Sequence, residues 1–147
     1  MDRIKIAIEQ DHIGTGALFI EVCINGDDIP GILNVDVFFT IKEANGLIPL
    51  FTCGCGDFDC NGFYVDVACT DMALILRNNY HRGNRSLQCV FEYQLDWQHV
   101  KGIAQEIFFY LQKIQEHDSQ AYVTLGYTGE NMLDRLPDYR LSSLLVP

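Results

Sequence analysis

The segment "LQCVFEYQLDWQHVKGIAQEIFFYLQKIQEH" (87–117) decides the fold, because the spacing of its apolar residues changes partway along it. Residues 87–94 are rich in the β-branched and aromatic side chains that strands favour. After Asp96 the apolar residues recur every three or four positions, so we predict a helix from about Trp97 to about His117 with Asp96 as its N-cap. Its apolar stripe consists of Val100, Ile103, Ala104, Ile107, Leu111 and Ile114.

The segments that precede this helix all resemble strands. The predicted strands are 3–8, 17–25, 32–41, 47–52, 62–70, 72–78 and 87–94. Within 32–41, Val35, Val37 and Phe39 share one face, and Pro49 indicates that 47–52 lies at a sheet edge. Strands in succession followed by one helix predict an α+β fold. We expect an antiparallel sheet of about six to seven strands with the long C-terminal-half helix packed on one face, in a single domain spanning 1–147.

Residues 118–147 give a mixed pattern. The stretch "AYVTLGY" (121–127) is compatible with a short strand. The leucines of "LPDYRLSSLLVP" (136–147) either dock on the core or belong to an arm, and the pattern leaves both options open.

The composition is acidic, with 20 aspartates and glutamates against 10 lysines and arginines and a net charge of −10. That balance repels nucleic acid and anionic membranes, so we expect neither as a partner. No signal peptide and no apolar run of membrane-spanning length is visible, and we predict a cytoplasmic protein with reduced thiols. The cysteines are then core residues or ligands, and Cys23, Cys69 and Cys89 lie in apolar runs typical of a core.

The stretch "FTCGCGDFDCNGFYVDV" (51–67) is the part of the chain richest in candidate chemistry. Cys53, Cys55 and Cys60 have a C-x-C-x4-C spacing, with glycines between them that allow the backbone to fold around an ion. Thiolates favour zinc, which takes four ligands in a tetrahedron. A hairpin that pairs Cys69 with Met72 places His81 opposite Cys60, so His81 is the predicted fourth ligand.

Three other interpretations of the same stretch stay open. The first is calcium binding: "DFDCNG" (57–62) matches the start of an EF-hand loop, but Ala68 stands where a bidentate glutamate belongs. The second is thiol chemistry at Cys60 with His81 as base, although acidic neighbours raise a thiol pKa. The third is that the stretch is a tight structural turn whose cysteines pack as small apolar side chains.

The same stretch resembles a pattern in small bacterial proteins without a settled activity, namely Cys-x-Cys-Gly, a short gap, Cys-x-Gly and an aromatic-rich strand. The matching residues are Cys53, Cys55, Gly56, Cys60, Gly62, Phe63 and Tyr64. The likeness covers about sixteen residues, and in size and charge such proteins are similar to immunity proteins. The resemblance implies a stand-alone domain and assigns no ligand.

These observations favour a non-enzymatic acidic domain of the cytoplasm that binds another protein, with a structural Cys-rich turn that either holds zinc or is metal-free. An acidic surface suits a basic partner. The alternative is a zinc- or thiol-dependent enzyme built on Cys53, Cys55, Cys60 and His81. No motif of the common hydrolases or nucleotide-binding enzymes occurs in the chain.

Overall fold

The structure is a computed structural model that describes residues 1–10, 17–29, 31–52, 63–78, 91–124 and 131–146. The strands in these ranges are β1 (Ile4–Gln10), β2 (Leu18–Ile24), β3 (Asp27–Ile29), β4 (Ile32–Leu33), β5 (Gly46–Thr52), β6 (Phe63–Cys69), β7 (Ala73–Asn78) and β8 (Phe91–Asp96). The helices are α1 (Val35–Phe39), α2 (Trp97–His117) and α3 (Leu136–Arg140), with short 3-10 turns at Ile41–Glu43 and Met132–Arg135.

The strands form two antiparallel sheets, one of three strands in the order β1-β2-β3 and one of five in the order β4-β5-β6-β7-β8. The predicted α+β class with antiparallel strands and one long helix is therefore confirmed, with the strands divided between two sheets. The turn between β2 and β3 contains Asn25 and Gly26, both at positive φ (54° and 87°). This backbone conformation suits the tight hairpin turns that an Asn-Gly pair forms.

Helix α2 lies where the apolar spacing predicted it. The carboxylate of Asp96 accepts a hydrogen bond from the backbone N–H of His99, which satisfies one of the free donors of the first turn. The predicted stripe lies on the inward face of α2. Its residues are buried except for the last, Ile114, which is half-buried and packs against the core. The stripe residues are Val100, Ile103, Ala104, Ile107, Leu111 and Ile114.

The predicted strand over 32–41 is wrong after Leu33. Asn34 caps α1 by accepting a hydrogen bond from the N–H of Val37 (3.2 Å), and this local bond diverts the backbone into a helix. The helix buries Val35, Phe38 and Phe39, a spacing of three and four that competes with the alternation of a strand. The cap therefore selects between two patterns that the same residues contain.

The prediction that Pro49 marks a sheet edge is also wrong, since β5 lies between β4 and β6. The pairing of β5 with β6 is irregular between Ile48 and Phe51, and β4 pairs only with the last two residues of β5. Pro49 thus lies in an irregular stretch where no ladder N–H is needed, which is the other place where sheets tolerate proline.

The described part of the chain after α2, residues 118–124 and 131–146, is here called the tail, and it packs on the core. Val123 forms a parallel bridge with Leu18 at the start of β2, so part of the predicted 121–127 strand is present. Further along, five side chains are buried: Met132, Leu133, Leu136, Tyr139 and Leu144. These residues join the same apolar cluster as both sheets and α2. Within the described ranges, no helix is both long enough and apolar enough to cross a membrane.

Candidate functional site

All four predicted metal or thiol residues, Cys53, Cys55, Cys60 and His81, lie outside the described residues, as does Cys89. The register that selected His81 is wrong, because Cys69 pairs with Leu74 and not with Met72. The hydroxyl of Thr70 accepts hydrogen bonds from the N–H groups of Met72 and Ala73, which closes the β6–β7 turn two residues further along than predicted. The zinc, calcium and thiol interpretations stay predictions, and the fourth zinc ligand is no longer assigned.

The two described cysteines are free thiols, and both are half-buried. Cys69 packs against the core, and its thiol donates to the carbonyl oxygen of Ile41 (3.2 Å). Burial raises the pKa of the Cys69 thiol, against a smaller opposing effect of Lys42. Cys69 is therefore held as a neutral thiol, which does not suit a nucleophile. Among the described side chains, no group of three or more potential ligands is placed to hold a metal.

The start of β1 is joined to the rest of the molecule by backbone hydrogen bonds. The N–H of Asp2 donates to the carbonyl of Gln94 in β8 (3.0 Å), and the N–H of Gln94 donates back to the Asp2 carboxylate (2.7 Å). The bond that the Gln94 N–H donates to the carboxylate lowers the pKa of Asp2, with a further contribution from the side chain of Asn25. We call Ile4 together with the two residues before it the sealed end of β1, because the outward-facing groups of Asp2 and Ile4 have partners on β8 and α2.

His99 completes the sealed end. Its Nε2 atom accepts a hydrogen bond from the N–H of Ile4 (2.8 Å), which requires an unprotonated nitrogen. Burial lowers the pKa of His99, and the nearby charge of Arg3 lowers it further, while Asp96 and Glu106 act in the opposite direction. His99 therefore has a structural role, because its Nε2 atom is the acceptor for an outward-facing N–H of β1.

The rest of β1, residues 5–10, is here called the open end. The N–H of Ile4 points away from β2, so the backbone groups of Ile6, Ile8 and Gln10 point the same way, because strands repeat every two residues. Of the described strands, β2 alone pairs with β1, and it lies on the other side of β1. Among the described residues, none pairs with these outward groups. An unpaired strand edge is a template for adding another strand.

A groove of about 570 Å³ runs beside the open end. One wall comes from β1 and the other from the C-terminal half of α2, and the lining is mostly apolar, with Lys113 and Asp118 as its charged members. The main lining side chains are Ile6, Ala7, Ile8, Tyr110, Ile114 and His117. Because Ala7 lines the groove together with its two neighbours, whose side chains point to the opposite face of the strand, the groove follows the strand edge.

Exposed aromatic side chains of α2 extend this surface. Phe109 is 53% exposed and Tyr110 is 40% exposed, and the ammonium group of Lys113 lies 5.3 Å from the ring centre of Phe109. Large exposed aromatics beside an apolar groove are typical of protein interfaces. On the opposite face of β1, Lys5 and Glu9 are exposed, and within the part of the chain that the structure describes neither has an ion-pair partner.

A cluster of polar side chains, remote from β1, joins the tail to α1. The carboxylate of Asp36 accepts hydrogen bonds from the Tyr139 hydroxyl (2.6 Å) and from Nε of Arg135 (2.9 Å). Tyr139 is buried and stacks on Phe39 with ring centres 4.6 Å apart. Burial and the bond to Asp36 raise the pKa of Tyr139. Both donors converge on one carboxylate oxygen of Asp36, so the cluster ties the C-terminal segment to α1.

The residues of the groove were not anticipated from the sequence. The signals were present: residues 3–8 predicted a strand, and "FFY" (108–110) carries aromatics at positions outside the buried stripe. Neither pattern says whether the outer edge of the strand is paired, since the groups that seal its start are more than ninety residues away.

Comparisons with known proteins return nothing: no family model matches the chain, and neither a curated protein nor a solved structure is significantly similar to it. The function has to be inferred from the geometry of this chain.

Proposed function

We propose that the chain is a non-enzymatic domain that binds a protein partner by taking an extended segment against the open end of β1. One observation carries the proposal, namely that the outer edge of β1 has no partner strand among the described residues and lies beside a mostly apolar groove. Strand addition supplies affinity through main-chain hydrogen bonds and specificity through pockets that receive alternate side chains. The open end offers both.

The dimensions and chemistry of the surface support this mode. The outward N–H and C=O groups of Ile6 and Ile8 are spaced to exchange hydrogen bonds with an antiparallel strand. Alternate side chains of an added strand lie on the groove side, next to Ile6 and Ile8, where Tyr110 and Ile114 form the facing wall. Both isoleucines are half-buried, so the partner covers apolar surface that the chain alone leaves partly in water.

Charge and compartment complete the proposal. The net charge of −10 disfavours nucleic acid and anionic membranes as partners. At the open end itself the charges are balanced, with Lys5 and Glu9 on the same face of the strand. The partner's affinity therefore depends on this local pattern, whereas the overall charge acts on the rate of encounter. We expect the encounter to take place in the cytoplasm.

For the Cys-rich stretch we propose a structural role, with zinc held by Cys53, Cys55 and Cys60. Elemental analysis of protein purified without chelators tests this together with a count of reactive thiols. Near-stoichiometric zinc and few reactive thiols support a structural clip. Turnover of ester, phosphate or peptide substrates that Cys53→Ser abolishes would instead favour the alternative, a zinc- or thiol-dependent enzyme.

Site-specific photo-crosslinking tests the binding surface. A photoreactive amino acid is placed at Ala7, in the open end, and separately at Met72, a 74% exposed side chain in the β6–β7 turn. After irradiation of cells that express each variant, adducts are identified by mass spectrometry. We expect a discrete protein adduct at position 7 and none of that mass at position 72. No adduct at position 7, or the same adducts at both positions, would overturn the proposal.

A further inference from the structure

We infer that the segment received by the open end is β1 of a second copy of this chain, paired antiparallel about a two-fold axis that passes beside Ala7. This inference rests on the proposed function, because it names the partner of the same edge. A two-fold axis perpendicular to the sheet makes the contact self-complementary, so each copy offers the same residues to the other. The sequence of β1, "IKIAIEQ", fits that requirement.

The backbone sets which registers are possible. Outward-facing groups belong to Ile6, Ile8 and Gln10, so a second β1 must place its own even-numbered residues opposite them. In the register centred on Ala7, Ile6 lies opposite the partner's Ile8, and Ile8 lies opposite the partner's Ile6. Each of these two pairs exchanges both backbone hydrogen bonds, and the four isoleucines lie together on the groove side.

The charges favour this register. Lys5 lies opposite the partner's Glu9, and Glu9 lies opposite the partner's Lys5, on the exposed face of the joined strands. Opposite charges directly across an antiparallel pair stabilise it, and like charges destabilise it. Lys5 and Glu9 have no ion-pair partner within the described part of one copy, so forming the two pairs breaks no described ion pair.

The neighbouring registers fit less well. A shift by two residues towards the sealed end brings the partner's isoleucine onto Ile4, whose N–H already donates to His99. A shift the other way places Glu9 opposite the partner's Ala7 and leaves Lys5 without an acidic partner in the strand. Within β1 itself, the register centred on Ala7 pairs both charges and uses the donors of Ile6 and Ile8, which have no partner among the described residues.

The groove follows the same symmetry. Because the axis is perpendicular to the sheet, the two copies' grooves open on the same face and meet over the isoleucines. Tyr110 and the exposed Phe109 of each α2 then lie at the rim of the joined surface. Aromatic side chains are enriched at protein interfaces.

The net charge opposes association, since each copy carries −10. At physiological ionic strength charges further apart than about 8 Å are largely screened, so the contact pairs outweigh the distant charges. Self-association therefore strengthens when salt is raised from low to physiological concentration, although the contact itself contains ion pairs.

Sedimentation of charge-reversal variants tests the register. Purified wild-type chain is expected to sediment as a reversible dimer, while Lys5→Glu and Glu9→Lys each raise the dissociation constant about tenfold or more. An equimolar mixture of the two variants is expected to recover the wild-type affinity, because the K5E and E9K chains present opposite charges to each other at both pairs. The net charges of −12 and −8 average to the wild-type −10, so recovery is not an effect of total charge.

Asp71→Lys, an exposed reversal in the β6–β7 turn, is the matched control for Glu9→Lys and should leave the dimer unchanged. A wild-type chain that stays monomeric, or a dimer indifferent to both reversals, overturns the inference. If the purified chain is monomeric while position 7 crosslinks to a different protein, the second-copy inference fails and the proposed function stands. If position 7 yields no adduct and the chain is monomeric, both fail.

Discussion

The two ends of β1 belong to the same strand but differ in whether their outward-facing backbone groups have hydrogen-bond partners among the described residues. At the sealed end, the backbone of Asp2 pairs with Gln94, and the N–H of Ile4 donates to His99, so the edge is closed by β8 and α2. At the open end, the same edge continues past Ile6 and Ile8, and here a groove separates the strand from α2. The strand alternates apolar and other residues in both ends.

The difference between the ends lies in what faces the strand. A histidine side chain of α2 reaches the edge at Ile4, whereas isoleucine and tyrosine side chains face Ile6 and Ile8 across the groove. Polar partners close an edge for stability, and an apolar gap beside free donors leaves it available for binding. The sealed end should therefore respond to mutation through folding, and the open end through association.

The largest expected effect is a difference in stability between alanine variants at the two ends of β1. Ile4→Ala removes a buried side chain and should lower the free energy of unfolding by about 2–5 kcal/mol. Ile8→Ala, from the same face of the same strand, should cost about 1 kcal/mol in the monomer because Ile8 is half-buried. Urea unfolding at low protein concentration measures both. Equal losses would mean that the two ends are packed alike.

A region remote from β1 provides a contrast at high pH. Tyr139→Phe removes a hydrogen bond to a carboxylate and should cost about 1.5–3 kcal/mol. Since the pKa of Tyr139 is raised in the folded chain, its stabilisation is present below the ordinary tyrosine pKa near 10 and is lost as the pH rises above it. Between pH 8 and pH 11, the free energy of unfolding should decrease less steeply for the variant than for the wild type. Identical slopes would contradict the role of the Asp36 cluster.

His99 should make the sealed end sensitive to acid. His99→Ala leaves the Ile4 N–H without an acceptor and should cost about 1 kcal/mol at pH 7. Because the pKa of His99 is lowered in the folded chain, wild-type stability is full above the ordinary histidine pKa near 6.5 and declines as the pH falls below it. His99→Gln, which keeps an acceptor, should flatten that decline. A variant as acid-sensitive as the wild type would exclude His99 as the titrating group.

The smallest effect is a gain. A methyl group at Gly102 would meet no atom within 4 Å, and the residue lies inside α2. Gly102→Ala should raise the free energy of unfolding by up to about 1 kcal/mol through helix propensity alone. Thermal unfolding measures the gain, with dimer affinity as the control that should not change. A loss of stability would show that α2 lies closer to the sealed end than described.

Local patterns predicted the elements of this fold where one reading dominates. Asp96 and the stripe that follows it defined α2 to the residue, and the alternation of Ile4, Ile6 and Ile8 defined β1. The segment 32–41 failed because its apolar residues satisfy both periods, and the Asn34 cap decides between them. Sequence spacing contains that cap but does not weigh it against the strand pattern.

The candidate surface was beyond sequence reasoning for a different reason. Whether a strand edge is paired depends on contacts such as Ile4–His99, which join residues far apart in the chain. The β6–β7 register likewise depended on two hydrogen bonds that the Thr70 hydroxyl accepts, and a shift of two residues removed the basis for choosing His81. Spacing alone cannot supply such long-range or single-bond information.

Amide hydrogen exchange along β1, followed by NMR at several protein concentrations, tests most directly whether the open end is an interaction edge. We expect the amide of Ile4 and the β2-paired amides of Lys5, Ala7 and Glu9 to exchange slowly at every concentration. The amides of Ile6 and Ile8 should exchange rapidly in dilute protein and become protected as the concentration rises. Amides of Ile6 and Ile8 that are as protected as Ile4 in dilute protein, or unprotected at every concentration, would contradict the account.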